Sequence, residues 1–175
     1  MGLRKFRCYR NIVRAYTRKS RYRKKAYISS VPAHRVVKFD MGAMQGNYSY
    51  ALYLKSKDSC QIRHNAIESA RQVCNRHLTD KLGPQGYRFQ INMYPHHLLR
   101  ENKILSGAGA DRLSSGMKNS FGKTIGSAAQ IKRGKTLFTV FVTSSAGVAA
   151  AQKALSLAGP RLPCRVHIDM LQLPA

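Results

Sequence analysis

Acidic residues are what this chain has least of: 7 Asp and Glu among 175 residues, against 31 Lys and Arg. The carboxylates, at positions 40, 58, 68, 80, 101, 111 and 169, are scattered. No two share a helix face or a short motif suited to paired acid–base work, so the sequence carries no catalytic signature of that kind. Tryptophan is absent, and nine Tyr and six Phe supply the aromatic bulk. The four cysteines, at 8, 60, 74 and 164, form no C-x-x-C pair. That excludes the usual zinc and thioredoxin-like spacings and predicts buried or reduced thiols. No apolar run approaches the ~20 residues of a membrane span, and no apolar segment of secretory type opens the chain. The expectation is therefore a cytoplasmic protein with no membrane partner, no metal and no cofactor.

What is abundant is positive charge. The formal net charge is +24, and thirteen Lys and Arg precede the first acid, Asp40. The densest part, residues 16–25, sets Tyr16 and Tyr22 among Arg18, Lys19, Arg21, Arg23, Lys24 and Lys25. A compact body with that charge repels itself unless a polyanion neutralises it. Nucleic acid is the expected partner, since its phosphates release condensed counterions when Lys and Arg replace them.

Residues 1–34 read as a basic arm, closed by Val31-Pro32 because proline biases its predecessor to extended conformations. Residues 35–175 read as a single domain. Strands are predicted at 35–40, at 48–54 with Tyr48, Tyr50, Leu52 and Leu54 on one face, at 87–93 with odd positions inward, at 136–142 and at 164–168. The strand over 136–142 is apolar on both faces and hence central. A helix is predicted from Ile62 to Leu82, ended by Gly83-Pro84. Another follows the Ser144 or Ser145 cap, with Val148, Ala151, Leu155 and Ala158 buried, and stops at Gly159-Pro160. The order implies an α+β fold, two helices on a mixed, largely antiparallel sheet. Residues 94–123 read as one long irregular segment, of the length that is usually functional or disordered.

Within that segment Arg100, Lys103, Arg112, Lys118 and Lys123 alternate with Gly107, Gly109 and other small residues. Glycine lets backbone amides approach phosphate, and the cations supply charge. His96-His97 is a lone histidine pair whose neighbours in an extended segment point apart, which disfavours shared metal binding. Gly116 to Thr124 imitates a phosphate-binding loop but places five residues between its glycines where four are needed. Gly107-Ala108-Gly109 starts like a dinucleotide fingerprint and then has Arg112 where the third glycine belongs.

Taken together, Arg7-Cys8-Tyr9-Arg10, Arg14-Ala15-Tyr16-Thr17-Arg18, Gln61-Ile62-Arg63-His64-Asn65-Ala66, Pro95 to Lys103 and Gly107-Ala108-Gly109-Ala110-Asp111-Arg112-Leu113 resemble a known family. It is the universal large-subunit ribosomal protein family called L10e in archaea and eukaryotes, counterpart of bacterial L16. The resemblance runs from about Arg4 to Asp169. It implies a hammerhead-like α+β fold and a non-catalytic role beside ribosomal RNA near the elbow of A-site tRNA. By matching motifs, Arg7, Arg10, Arg14, Arg18, Lys19, Arg21, Arg23, Lys24, Lys25, Arg63 and His64 are expected to bind rRNA. His96, His97, Arg100, Lys103, Gly107, Gly109, Arg112, Lys118 and Lys123 belong to a loop expected to approach tRNA, in the A and P sites, and the peptidyl-transferase centre. Neighbouring ribosomal proteins are further implied partners. Two departures stand out: Thr124 replaces the family's usual proline, and Ser127-Ala128-Ala129-Gln130 replaces a segment that commonly carries a basic residue. The alternative reading is a free nucleic-acid-binding protein or an RNA-dependent NTPase using residues 116–124.

Overall fold

The computed structural model describes residues 4–13, 15–16, 28, 30–105, 107–118 and 120–173. After a 3-10 turn at Phe6–Tyr9 the elements are β1 (Asp40–Gly42), β2 (Tyr50–Ser56), β3 (Cys60–Arg63), α1 (His64–Leu82), β4 (Tyr87–Ile91) and β5 (His97–Glu101). They are followed by α2 (Ala110–Leu113), β6 (Lys123–Ile131), β7 (Thr136–Val142), α3 (Ser145–Ala158), a 3-10 turn at Gly159–Arg161 and β8 (Val166–Gln172). The expected α+β class is observed, with two differences. The strands form two sheets, β1-β4-β7-β2-β8 and β3-β6-β5, and every pairing is antiparallel, not mixed.

The helices form because their apolar residues recur at helical spacing, and α1 and α3 bury those stripes together against the larger sheet. Ile67, Ala70, Cys74 and Leu78 of α1 face Ala151, Ala154, Leu155 and Ala158 of α3. Small α3 residues permit a close approach: the Cys74 thiol donates to Ala154 O at 3.2 Å. Ser144 caps α3 by accepting the Gly147 N–H at 3.1 Å. Gly83 ends α1 with a φ of 70° and its N–H returned to Thr79 O. Beneath the helices β7 is central as expected, and Phe89 and Phe138 meet edge to face at 5.3 Å. The small sheet joins the same core through Cys60, Ile62, Ala129 and Ile131.

The predicted strand at 35–40 is corrected to Asp40–Gly42, because its partner β4 ends at Ile91, whose N–H bonds Phe39 O. Before that point Val36 turns into the core and Val37 lies 80% exposed, with no strand beside them. Ile62 and Arg63 belong to β3 rather than to α1, since pairing with β6 outweighs the local helical spacing. Within 94–123, the residues His97–Glu101 are a strand, leaving 102–122 as the loop. β6 was not expected at all: Gly126, Ser127, Ala128 and Ala129 have low strand propensity, and only cross-strand pairing on both sides holds them extended.

Candidate nucleic-acid interface

Alternation along the small sheet places Gln61 and Arg63 of β3, Ala128 and Gln130 of β6, and His97 of β5 on one face. That face grips the N-terminal arm. The Gln61 N–H donates to Arg10 O at 3.2 Å, and its side-chain NH2 donates to Tyr9 O and Asn11 O at 3.2 and 2.5 Å. Gln130 donates to Val13 O at 2.8 Å and to Gln61 Oε1 at 3.2 Å. At the far side the Tyr16 N–H donates to His97 Nδ1 at 3.0 Å, and the Leu98 N–H donates to Tyr16 O at 2.9 Å. The arm thus crosses from the free edge of β3 to the free edge of β5.

The loop springs from the same sheet. Its base is closed by the β5–β6 ladder, where Glu101 faces Lys123, and by an aromatic clamp. The Arg100 guanidinium lies 4.4 Å from the Tyr16 ring centroid and 3.9 Å from that of Phe121, and it donates to Phe121 O. Gly122, at φ 78°, leaves no room for a Cβ, which would stand 2.7 Å from the Glu101 carbonyl carbon. Farther out, Asn102 donates to Gly116 O at 3.1 Å, and Gly109 at φ 81° precedes the single turn of α2.

The expected binding residues fall into distinct groups. Arg7 and Arg10 on the arm, Arg112 and Lys118 on the loop and Lys123 at the start of β6 are exposed, as are Gly107 and Gly109. His96 is exposed and lies against the Tyr94 ring. Arg63, His64, His97 and Arg100 are engaged within the protein. Arg63 donates to Arg4 O at 2.9 Å over the Tyr9 ring, and His64 Nδ1 accepts the Arg35 N–H at 3.1 Å. Lys103 is half-buried. Arg14, Arg18, Lys19, Arg21, Arg23, Lys24 and Lys25 lie outside the described residues. Gln61 and Gln130, which hold the arm, were missed by sequence reasoning, because uncharged amides carry no binding signature. The one available signal was the alternation of Gln61 and Arg63 with apolar neighbours.

Burial lowers the pKa of His64 and of His97, and nearby positive groups add to it, including His34 and Arg35 for the first and Arg100 for the second. Both rings therefore stay neutral at physiological pH, as their acceptor roles require. The acids Asp40, Asp58, Glu68, Asp80, Glu101 and Asp169 each lie beside a cation: Arg88, Arg165, Arg71, Arg76, Arg4 and Lys55 respectively. Arg165, Arg71 and Lys55 hold the carboxyls of Asp58, Glu68 and Asp169 below the usual carboxylate range, which suits neither a general acid nor a raised-pKa base. Among the described residues no group of His, Cys, Asp and Glu could hold a metal, and no helix is long and apolar enough to cross a membrane. After Gly122 the chain enters strand β6, whereas a phosphate-binding loop leads into a helix whose N-terminus meets the anion.

A family model described as ribosomal protein L16p/L10e matches residues 17–169. Three archaeal relatives bear the name large ribosomal subunit protein uL16. The Methanococcus aeolicus protein is 45% identical over 169 residues, covering 96% of this chain and 94% of its own. The Methanospirillum hungatei protein is 43% identical over 161 residues, 91% of each chain. The Staphylothermus marinus protein is 43% identical over 169 residues, 96% of this chain and 93% of its own.

Proposed function

From the premise that the chain belongs to the ribosomal protein L16p/L10e family, and is thereby a structural protein of the large ribosomal subunit and not an enzyme, we propose how it binds there. The arm anchors the protein on large-subunit rRNA through Arg7, Arg10, Arg14 and the cations of 18–25. The small sheet holds the arm's backbone, so its side chains remain directed at phosphate. The loop 102–122 carries Arg112 and Lys118, with Lys123 at its base on β6, past the elbow of A-site tRNA towards the peptidyl-transferase centre. Neutral backbone and charge there support translation, while the bond-making chemistry belongs to the RNA.

The observation that carries this reading is the imbalance of charge. The carboxylates of Asp40, Asp58, Glu68, Asp80, Glu101 and Asp169 already have basic neighbours, yet the chain remains at +24. Only an external polyanion can neutralise such an excess. The direct test is sedimentation of natively expressed protein through a sucrose gradient at moderate salt. Comigration with large subunits is expected, and protein remaining in the light fractions would refute the proposal. Neutralising Arg18, Arg21 and Arg23 together should flatten the salt dependence of rRNA binding by about one unit of slope per lost phosphate contact. Substituting Arg112 should impair translation by assembled subunits more than it impairs incorporation.

A further inference from the structure

Beside the arm's crossing onto β5 lies a cavity of about 350 Å³, at the small end of ligand-binding cavities. Its lining includes Ala15 of the arm together with Asn92, Tyr94, His96, Gln130 and Lys135. Its most prominent feature is Tyr94, a large ring left 44% exposed yet packed against three other rings. Phe39 stacks on it at 5.3 Å with 24° between planes, and His34 meets it edge-on at 5.4 Å. The His34 ring is itself fixed by a 2.7 Å hydrogen bond between Nδ1 and Ser127 Oγ. His96 adds a second ring at 4.5 Å.

The polar lining is equally specific. Asn92 Oδ1 accepts the Thr139 hydroxyl at 2.8 Å, which orients the carboxamide and leaves its NH2 as the donor for a guest. Gln130 uses its NH2 on Val13 O and Gln61, which leaves its carbonyl oxygen as an acceptor. A donor and an acceptor therefore sit beside a rigid aromatic face, with the Lys135 ammonium at the rim. This is the set of groups that recognises an unstacked base: a ring to stack on, a hydrogen-bonding edge and a cation for the adjoining phosphate.

We infer that this cavity receives one unpaired nucleobase of the bound RNA, stacked on Tyr94 and read along its edge by Asn92 and Gln130. The inference rests on the RNA-binding function proposed above and assigns a base-reading contact to the cavity beside the arm, whose lining includes Ala15 of the arm and His96. The small volume limits the guest to one base rather than a helical stack, and the +24 chain selects a polyanion over an acidic or neutral peptide side chain.

Ultraviolet crosslinking of intact large subunits carrying this protein, with adducts mapped by peptide mass spectrometry, tests it. A nucleotide adduct on Tyr94 or His96 is expected, in addition to adducts on the arm and loop. Tyr94→Phe should retain a protected base at that position in chemical probing of the rRNA, whereas Tyr94→Leu should expose it. His96→Ala, a surface change, should weaken binding to the rRNA fragment about tenfold without shifting the melting temperature. Adducts on the arm and loop with none at 92–97 would overturn the inference. So would an adduct there to a neighbouring protein, or a base equally protected in Tyr94→Leu subunits. Absence of the protein from large subunits would instead overturn the function on which it rests.

Discussion

Gln61 offers the sharpest test of how the arm is held. The side chain is 2% exposed and makes three hydrogen bonds, to Tyr9 O, Asn11 O and the Gln130 amide. Gln61→Leu keeps approximate volume and removes all three. Two of them hold the arm, and at about 0.5–1.5 kcal/mol each its docking weakens by about 1–3 kcal/mol, which multiplies its undocked population about 5- to 150-fold. Two amides report on this directly: Gln61 N–H donates to Arg10 O, and Leu98 N–H donates to Tyr16 O, at opposite ends of the strap. In native-state hydrogen exchange on the free protein both should accelerate by that factor, while Val140 in the central strand β7 should be nearly unchanged. Acceleration at residue 61 alone would mean that the arm is not a unit held from edge to edge. An equal loss at all three amides would mean that Gln61 serves the core rather than the arm.

Other perturbations separate the remaining contacts. Arg100→Ala removes the cation between Tyr16 and Phe121 and should cost about 1–2 kcal/mol, read as faster exchange across 102–122 with little change in β7. Gly122→Ala combines a left-handed backbone with a Cβ at 2.7 Å from Glu101, so it should destabilise the β5–β6 junction by about 1–3 kcal/mol or more and lower the melting temperature. The Arg165 hydrogen bonds hold the Asp58 carboxyl down at about 2, so its contribution is fully present above its ordinary value near ~3.9 and is lost as pH falls through about 2. The difference in melting temperature between wild type and Asp58→Asn should accordingly be constant above about pH 5 and vanish towards pH 2. The lowered pKa of His97 has the same sign: arm docking should weaken as pH falls below ~6.5, measurable as Leu98 exchange corrected for its intrinsic pH dependence.

The parts of the fold legible in the sequence are those whose local pattern agrees with their final environment. The Ile67, Ala70, Cys74 and Leu78 stripe, the Gly83 stop, the Ser144 cap and the doubly apolar β7 all follow from period and chemistry a few residues wide. The small sheet was not legible, because β3 reads as the start of a helix and β6 is built of Gly, Ser and Ala. Its strands exist through pairing with partners distant in the chain. For the same reason the resemblance could mark Arg63, His97 and Arg100 as binding residues but could not reveal that they hold the arm and the loop base.

The sequence alone determined the partner class and the family: net charge and contiguous motifs are properties of composition and order, which folding does not alter. Tertiary structure decided which cations face outward and which are held, since that depends on burial and on hydrogen bonds between residues such as Gln61 and Tyr9, 52 positions apart. It also decided that a glutamine pair fastens the arm alongside Arg63, His97 and Arg100. An amide has no preferred partner until the backbone carbonyls of another segment are brought within reach.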